Sequence, residues 1–136
     1  MSIHLKLKLA TRRAATALVV VATAVAASGC GSGVAHPVDP DRAMTALKTA
    51  LDAWKDGKDP ESLKTSDTPM VVQDMEWQSG AKLVDYQVEG DGSPADANLN
   101  VRVKLNLTAK GKKVQRDAHY LVTTSPAVTV FRDMMR

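Results

Sequence analysis

Residues 98–108 read Asn98-Leu99-Asn100-Val101-Arg102-Val103-Lys104-Leu105-Asn106-Leu107-Thr108. Leu99, Val101, Val103, Leu105 and Leu107 alternate with Asn100, Arg102, Lys104 and Asn106. Side chains leave a strand on alternate faces, so this run predicts a strand with one buried face. Ala109-Lys110-Gly111-Lys112 supplies a four-residue turn, with Gly111 free to take a positive φ. Val114 to Thr123 returns with Val114, Ala118, Tyr120 and Val122 on one side. The apolar faces must coincide, because a slip of one residue would move every buried side chain to solvent. Matching Leu107 with Val114 puts Leu105 opposite Arg116, Val103 opposite Ala118, Val101 opposite Tyr120 and Leu99 opposite Val122. Lys104 then falls opposite Asp117, and Arg102 opposite His119. Arg116 interrupts the apolar face near the hairpin end, where it can reach water.

Upstream, Lys82 to Glu89 predicts another strand, with Val84, Tyr86 and Val88 on one face and Asp85, Gln87 and Glu89 on the other. Gly90-Asp91-Gly92-Ser93-Pro94 is expected to break it. Downstream of Ser125-Pro126, Val128 and Val130 begin a last strand ending near Arg132. Before the strands, Asp39-Pro40 has the form of a helix start, Asp39 as N-cap and Pro40 in the first helical position. Met44, Leu47, Leu51 and Trp54 follow at spacings of three and four, flanked by Ala43, Ala46, Ala50 and Ala53. That is one apolar face on an amphipathic helix, and Gly57 is its natural stop. Asp59-Pro60 repeats the start on a smaller scale, predicting one helical turn with Leu63 inward. Thr65 to Pro69 is loop and Met70-Val71-Val72 a short extended piece.

The expected fold class is α+β: one N-terminal amphipathic helix packed on a roughly four-stranded antiparallel meander whose other face is largely polar. Over residues 39–136 this order resembles cystatin-like and nuclear-transport-factor-2-like folds, in which a sheet wraps a helix. The resemblance rests on topology. Ala53-Trp54-Lys55-Asp56-Gly57, the spacing of Asp74, Trp77 and Gly80, and Val128-Thr129-Val130-Phe131-Arg132 are similar to uncharacterised bacterial lipoproteins, a likeness that implies no known activity.

The first 29 residues have a different character. Lys6, Lys8, Arg12 and Arg13 precede an uncharged run from Ala14 to Ala27, and no Asp or Glu lies before Cys30. Fourteen residues make about 21 Å of helix, short of the roughly 30 Å hydrocarbon core, so a cleaved signal fits better than a spanning helix. Ala27-Ser28-Gly29-Cys30 resembles the lipobox of bacterial lipoproteins, with Ala27 in place of the commoner Leu. The resemblance implies a diacylglycerol thioether on Cys30, cleavage before it and acylation of the new amine. The expected organisation is therefore a signal peptide over 1–29, lipidated Cys30 and a flexible tether over 30–38, and a single domain over 39–136. Gly31, Ser32 and Gly33 keep the tether flexible, and His36 lies within it with no partner in sequence.

Without its four signal-segment cations the chain keeps 14 Lys and Arg against 15 Asp and Glu, a net charge of −1. The basic pI thus belongs to the export segment and argues for no nucleic-acid surface. Cys30 is the only cysteine, which excludes an intrachain disulfide or a zinc–thiolate cluster. No phosphate loop or metal-ligand spacing occurs, so no catalytic residue, cofactor or metal is expected. Gln87-Val88-Glu89-Gly90 is one residue short of the Gln-x-Val-x-Gly loop of cystatin inhibitors. His119 shares the polar strand face with Gln115, Asp117 and Thr123 and has no nucleophile in context. Asp85, Glu89 and Asp91 read as a solvated edge, and Lys110, Lys112 and Lys113 as a solubilising turn. Trp77 stands in the polar stretch 73–82, either as a clamp over the open end of the core or as a ligand platform.

Two readings follow. The first is a lipid-anchored, non-enzymatic domain in the cell envelope, outside the cytoplasm, held to a membrane through Cys30 and acting by contact with another protein. The alternative is a small-molecule-binding or enzymatic member of the cone-shaped fold, with Trp77, Tyr86 and Tyr120 lining a pocket.

Overall fold

A computed structural model describes residues 36–136; the export segment, Cys30 and residues 31–35 lie outside the described residues. The architecture is α+β, with three helices and a five-stranded mixed sheet. Helix α1 spans Pro40–Lys55, a 3₁₀ helix spans Pro60–Thr65, and α2 is the short helix Met75–Gln78. The strands are β1 (Val71–Gln73), β2 (Lys82–Ala95), β3 (Asn98–Ala109), β4 (Lys112–Thr123) and β5 (Thr129–Asp133). Their order across the sheet is β1-β5-β4-β3-β2.

Each helix begins on an aspartate that satisfies one or two of the free N–H groups of the first turn. Asp39 accepts from the Arg42 amide at 3.0 Å, Asp59 from Glu61 at 2.8 Å, and Asp74 from Glu76 and Trp77 at 2.9 and 3.2 Å. Gly57, at φ +78°, ends α1 as expected. The stripe on α1 buries Ala43, Ala46, Leu47, Ala50, Leu51, Ala53 and Trp54. They pack in one core with Leu99, Val101, Val103, Leu105 and Leu107 of β3, and with Val122 and Val130. Each fully buried Leu or Val is worth about 1.5–3 kcal/mol relative to exposure, which makes this layer the main stabilising element.

The β3–β4 hairpin adopts the register that coincident apolar faces require, from Leu107 opposite Val114 to Leu99 opposite Val122. Lys104 faces Asp117 and Arg102 faces His119 on the outer surface. The turn is tighter than expected. Ala109 pairs with Lys112, leaving only Lys110 and Gly111, at φ +51° and +76°, between the strands. Positive φ at both positions matches the right-handed twist of the flanking strands.

Three expectations need correction. The sheet has five strands rather than four, and it is not a pure antiparallel meander. The extended piece at 71–73 becomes β1 and runs parallel to β5, pairing Val72 with Val130. Strand β2 does not stop at the glycines: it resumes at Ser93 opposite Asn100, and Gly90, Asp91 and Gly92 form a bulge at positive-φ glycines. A second bulge at Val84 shifts the phase of β2. Leu83 turns inward and Val84 outward, 52% exposed, so the inner face is Leu83, Tyr86 and Val88. Two-residue alternation cannot reveal an inserted residue, which is why Val84 was expected inside.

Candidate functional site

The polar stretch 73–82 hides a short helix whose position is fixed by Asp74. One oxygen of Asp74 caps α2, and the other accepts the Tyr120 hydroxyl at 2.6 Å and faces Arg132 Nη1 at 3.4 Å. Arg132 also binds Glu76 at 2.6 Å, and Glu76 reaches Arg116 at 3.2 Å. Asp74 and Arg132 are buried. Burial works against the charge on Arg132, yet the neighbouring Asp74, Tyr120 and Glu76 outweigh it and raise its pKa. Burial, then Asp74, also pushes the Tyr120 hydroxyl well above its ordinary range. Every buried side-chain N or O atom of the described residues has a hydrogen-bond partner. The cluster is thus a closed network that joins α2 to β4 and β5.

With α2 fixed, Trp77 lies flat on Trp54, ring centroids 5.3 Å apart and planes 5° from parallel. The Trp77 indole N–H donates to the Lys58 carbonyl at 2.9 Å, and that of Trp54 to the Ala81 carbonyl at 2.8 Å. Both rings are nearly buried, at 6% and 2% exposure. This is the clamp arrangement: the indoles close the open end of the core and tie the loops after α1 and α2 to it.

A groove of about 790 Å³ opens over this clamp, lined by both tryptophans and by Lys55, Lys58, Glu61 and Lys82 among others. It lies at the C-terminal end of α1. Its rim is of mixed charge, and the two indoles beneath it are nearly buried.

Of the three aromatic residues expected to line a pocket, only Trp77 borders this groove. Tyr86 donates its hydroxyl to Asp52 at 2.7 Å on the side of α1. Tyr120 is 1% exposed beneath α2. Among the described residues the two tyrosines are held away from this groove by different partners, Tyr86 by Asp52 and Tyr120 by Asp74. His119 is half-buried on the outer face, between Arg102 of β3 and Asp133 of β5. Asp85 pairs with Lys55 at 3.3 Å and Glu89 with Lys104 at 3.1 Å, while Asp91 lies in the bulge. The side chain of Lys55, followed by the Tyr86 amide, holds the Asp85 carboxyl below its usual value.

Arg132 and Glu76 were missed from sequence. The available signal for Arg132 was parity: it shares the inward phase of Val128 and Val130. The described residues thus form a helix-on-sheet α+β domain with a clamped groove at one end. No family model, curated protein or solved structure matches the chain.

Proposed function

We propose that the chain is a lipid-anchored, non-enzymatic domain of the cell envelope that acts by contact with a protein partner. Cys30 carries the lipid, the signal over 1–29 is removed, and the folded part follows the helix-on-sheet plan of cystatin-like and nuclear-transport-factor-2-like proteins. The observation that carries this reading is the order of the first thirty residues: four cations, an uncharged run, then Ala27-Ser28-Gly29-Cys30 with the only cysteine. Two or more acyl chains suffice for stable anchoring.

The position of the groove supports action by contact. Val38 and Asp39 are held at one end of the domain through the Asp96 carbonyl and the Thr124 hydroxyl. The groove is at the other end of α1, about 24 Å away for 16 residues at 1.5 Å each. The groove and the entry of the tether thus lie at opposite ends of α1, which leaves the groove open to a partner.

The test is replacement of Cys30 by serine in the full chain, followed by membrane fractionation and mass spectrometry. The expected result is release from the membrane fraction or an uncleaved precursor, against a mature wild-type protein whose mass includes the lipid. An unmodified Cys30 in mature wild-type protein refutes the reading. The groove over Trp54 and Trp77 favours a second reading, small-molecule binding, which ligand-dependent change in tryptophan emission would reveal.

A further inference from the structure

The outer face of the sheet is divided by charge. Val72, Val130 and Val122 point into the core, so their neighbours Val71, Gln73, Thr129, Phe131, Leu121 and Thr123 take the outer face. Val71, Thr129 and Thr123 form the last cross-strand row at one end of the sheet, and Gln73, Phe131 and Leu121 the next. None of these six carries a charge. Phe131 is 43% exposed and Val71 36%. Thr123 and Thr129 hydrogen-bond to each other at 2.6 Å, which satisfies hydroxyls that would otherwise need water. From the third row on, the face is ionic: Asp133, His119, Arg102 and Glu89 stand side by side, followed by Asp117 and Lys104.

The uncharged end is also the end at which the tether enters. Asp39 is bonded to Thr124, the residue after the terminal row, and Val38 to Asp96 in the β2–β3 turn. Seven residues lie between Cys30 and Val38, at most about 25–30 Å of fully extended chain. Resting on the anchor reading above, we propose that this end of the outer face lies against the bilayer that holds Cys30. Phe131 and Val71 enter the boundary between headgroups and acyl chains, to the roughly 5–10 Å reached by interfacial segments. Charged groups resist that environment far more strongly than uncharged ones, which matches the division of the face. With no cation in the two rows, the contact does not depend on anionic lipid.

The experiment uses the full mature protein, its lipidated Cys30 verified by mass, in phosphatidylcholine vesicles with brominated acyl chains. Phe131→Trp and, as a second probe, Val71→Trp report from the uncharged end; Lys104→Trp reports from the ionic end. The native tryptophans are buried and supply a constant background in all three. The expected result is that bromolipid removes most of the added emission at 131 and 71 and little at 104, with no change when anionic lipid is included. Anchored protein whose probes at 131 and 71 are not quenched overturns the proposal and leaves the anchor reading intact. The same holds if they are shielded from aqueous quencher but not reached by bromolipid, which would mean a protein or second copy covers the face. Stronger quenching at 104, or quenching that requires anionic lipid, overturns it as well. An unmodified Cys30 overturns both readings.

Discussion

Tyr120 donates its hydroxyl to Asp74 at 2.6 Å across 46 residues of sequence, and this bond joins the centre of the sheet to the short helix that carries Trp77. Asp74 answers four donors: two backbone amides, a phenol and a guanidinium. Its replacement by alanine leaves the buried Tyr120 hydroxyl without its acceptor, Arg132 with Glu76 as its remaining partner, and the first turn of α2 uncapped. Asp74→Ala is expected to cost about 1.5–5 kcal/mol, a lost helix cap together with an unsatisfied buried donor, read by urea unfolding. Tyr120→Phe leaves one acceptor unfilled and costs about 1–3 kcal/mol. An Asp74→Ala protein as stable as wild type would show that the network contributes nothing.

The Trp54–Trp77 pair is the second long-range tie. Trp77→Ala is expected to lose about 3–5 kcal/mol, as for other large-to-small core changes. A double-mutant cycle with Trp54→Ala should return a coupling of about 0.5–1.5 kcal/mol for the stacked rings. A cycle that closes at zero would reduce the stack to two independent burials.

At the β3–β4 turn, Gly111 sits at φ +76° with open space where a Cβ would go, so only backbone conformation opposes a side chain. Gly111→Ala therefore costs about 1–2 kcal/mol, the penalty for an L-residue in the left-handed region. Lys110, at φ +51°, already bears part of that penalty, and Lys110→Asn is expected to raise the melting temperature. Thermal unfolding of the two variants checks both directions.

Both tyrosines titrate late. Burial, followed by the Asp52 and Asp85 carboxylates, pushes Tyr86 from 10.0 to about 12, and Tyr120 is raised further from its ordinary range by burial beside Asp74. A folded-state pKa above the unfolded value stabilises the protein fully below the unfolded pKa and loses that contribution as pH rises through the folded one. Stability is thus expected to be level to about pH 9 and to fall between about pH 10 and 12, with Tyr86→Phe flattening part of the slope. Urea midpoints across that range decide it, and a midpoint that rises with pH there contradicts the assignment.

The β3–β4 register was legible because Leu99 to Leu107 and Val114 to Val122 each admit only one buried face, and two such faces meet in one way. Helix α1 was legible for a similar reason: Asp39-Pro40 fixes its start, Gly57 its end, and the apolar stripe its orientation. Local pattern makes the turn between β3 and β4 longer than it is, since Ala109 and Lys112 extend the ladder without any apolar signal of their own.

By itself the sequence determined the elements whose signals are local: periodicity, caps, the hairpin register and the lone Cys30 after an uncharged run. The tertiary structure decided the rest. It placed β1 parallel to β5, a pairing between segments nearly sixty residues apart that no local pattern encodes. It also set the phase at the start of β2 through the bulge at Val84, turning Leu83 inward and Val84 outward. It turned Arg132 inward to meet Asp74 and Glu76. The physical reason is that period and capping act within a few residues. A buried charge is tolerated only where distant groups converge on it, and that convergence exists only once the sheet is assembled.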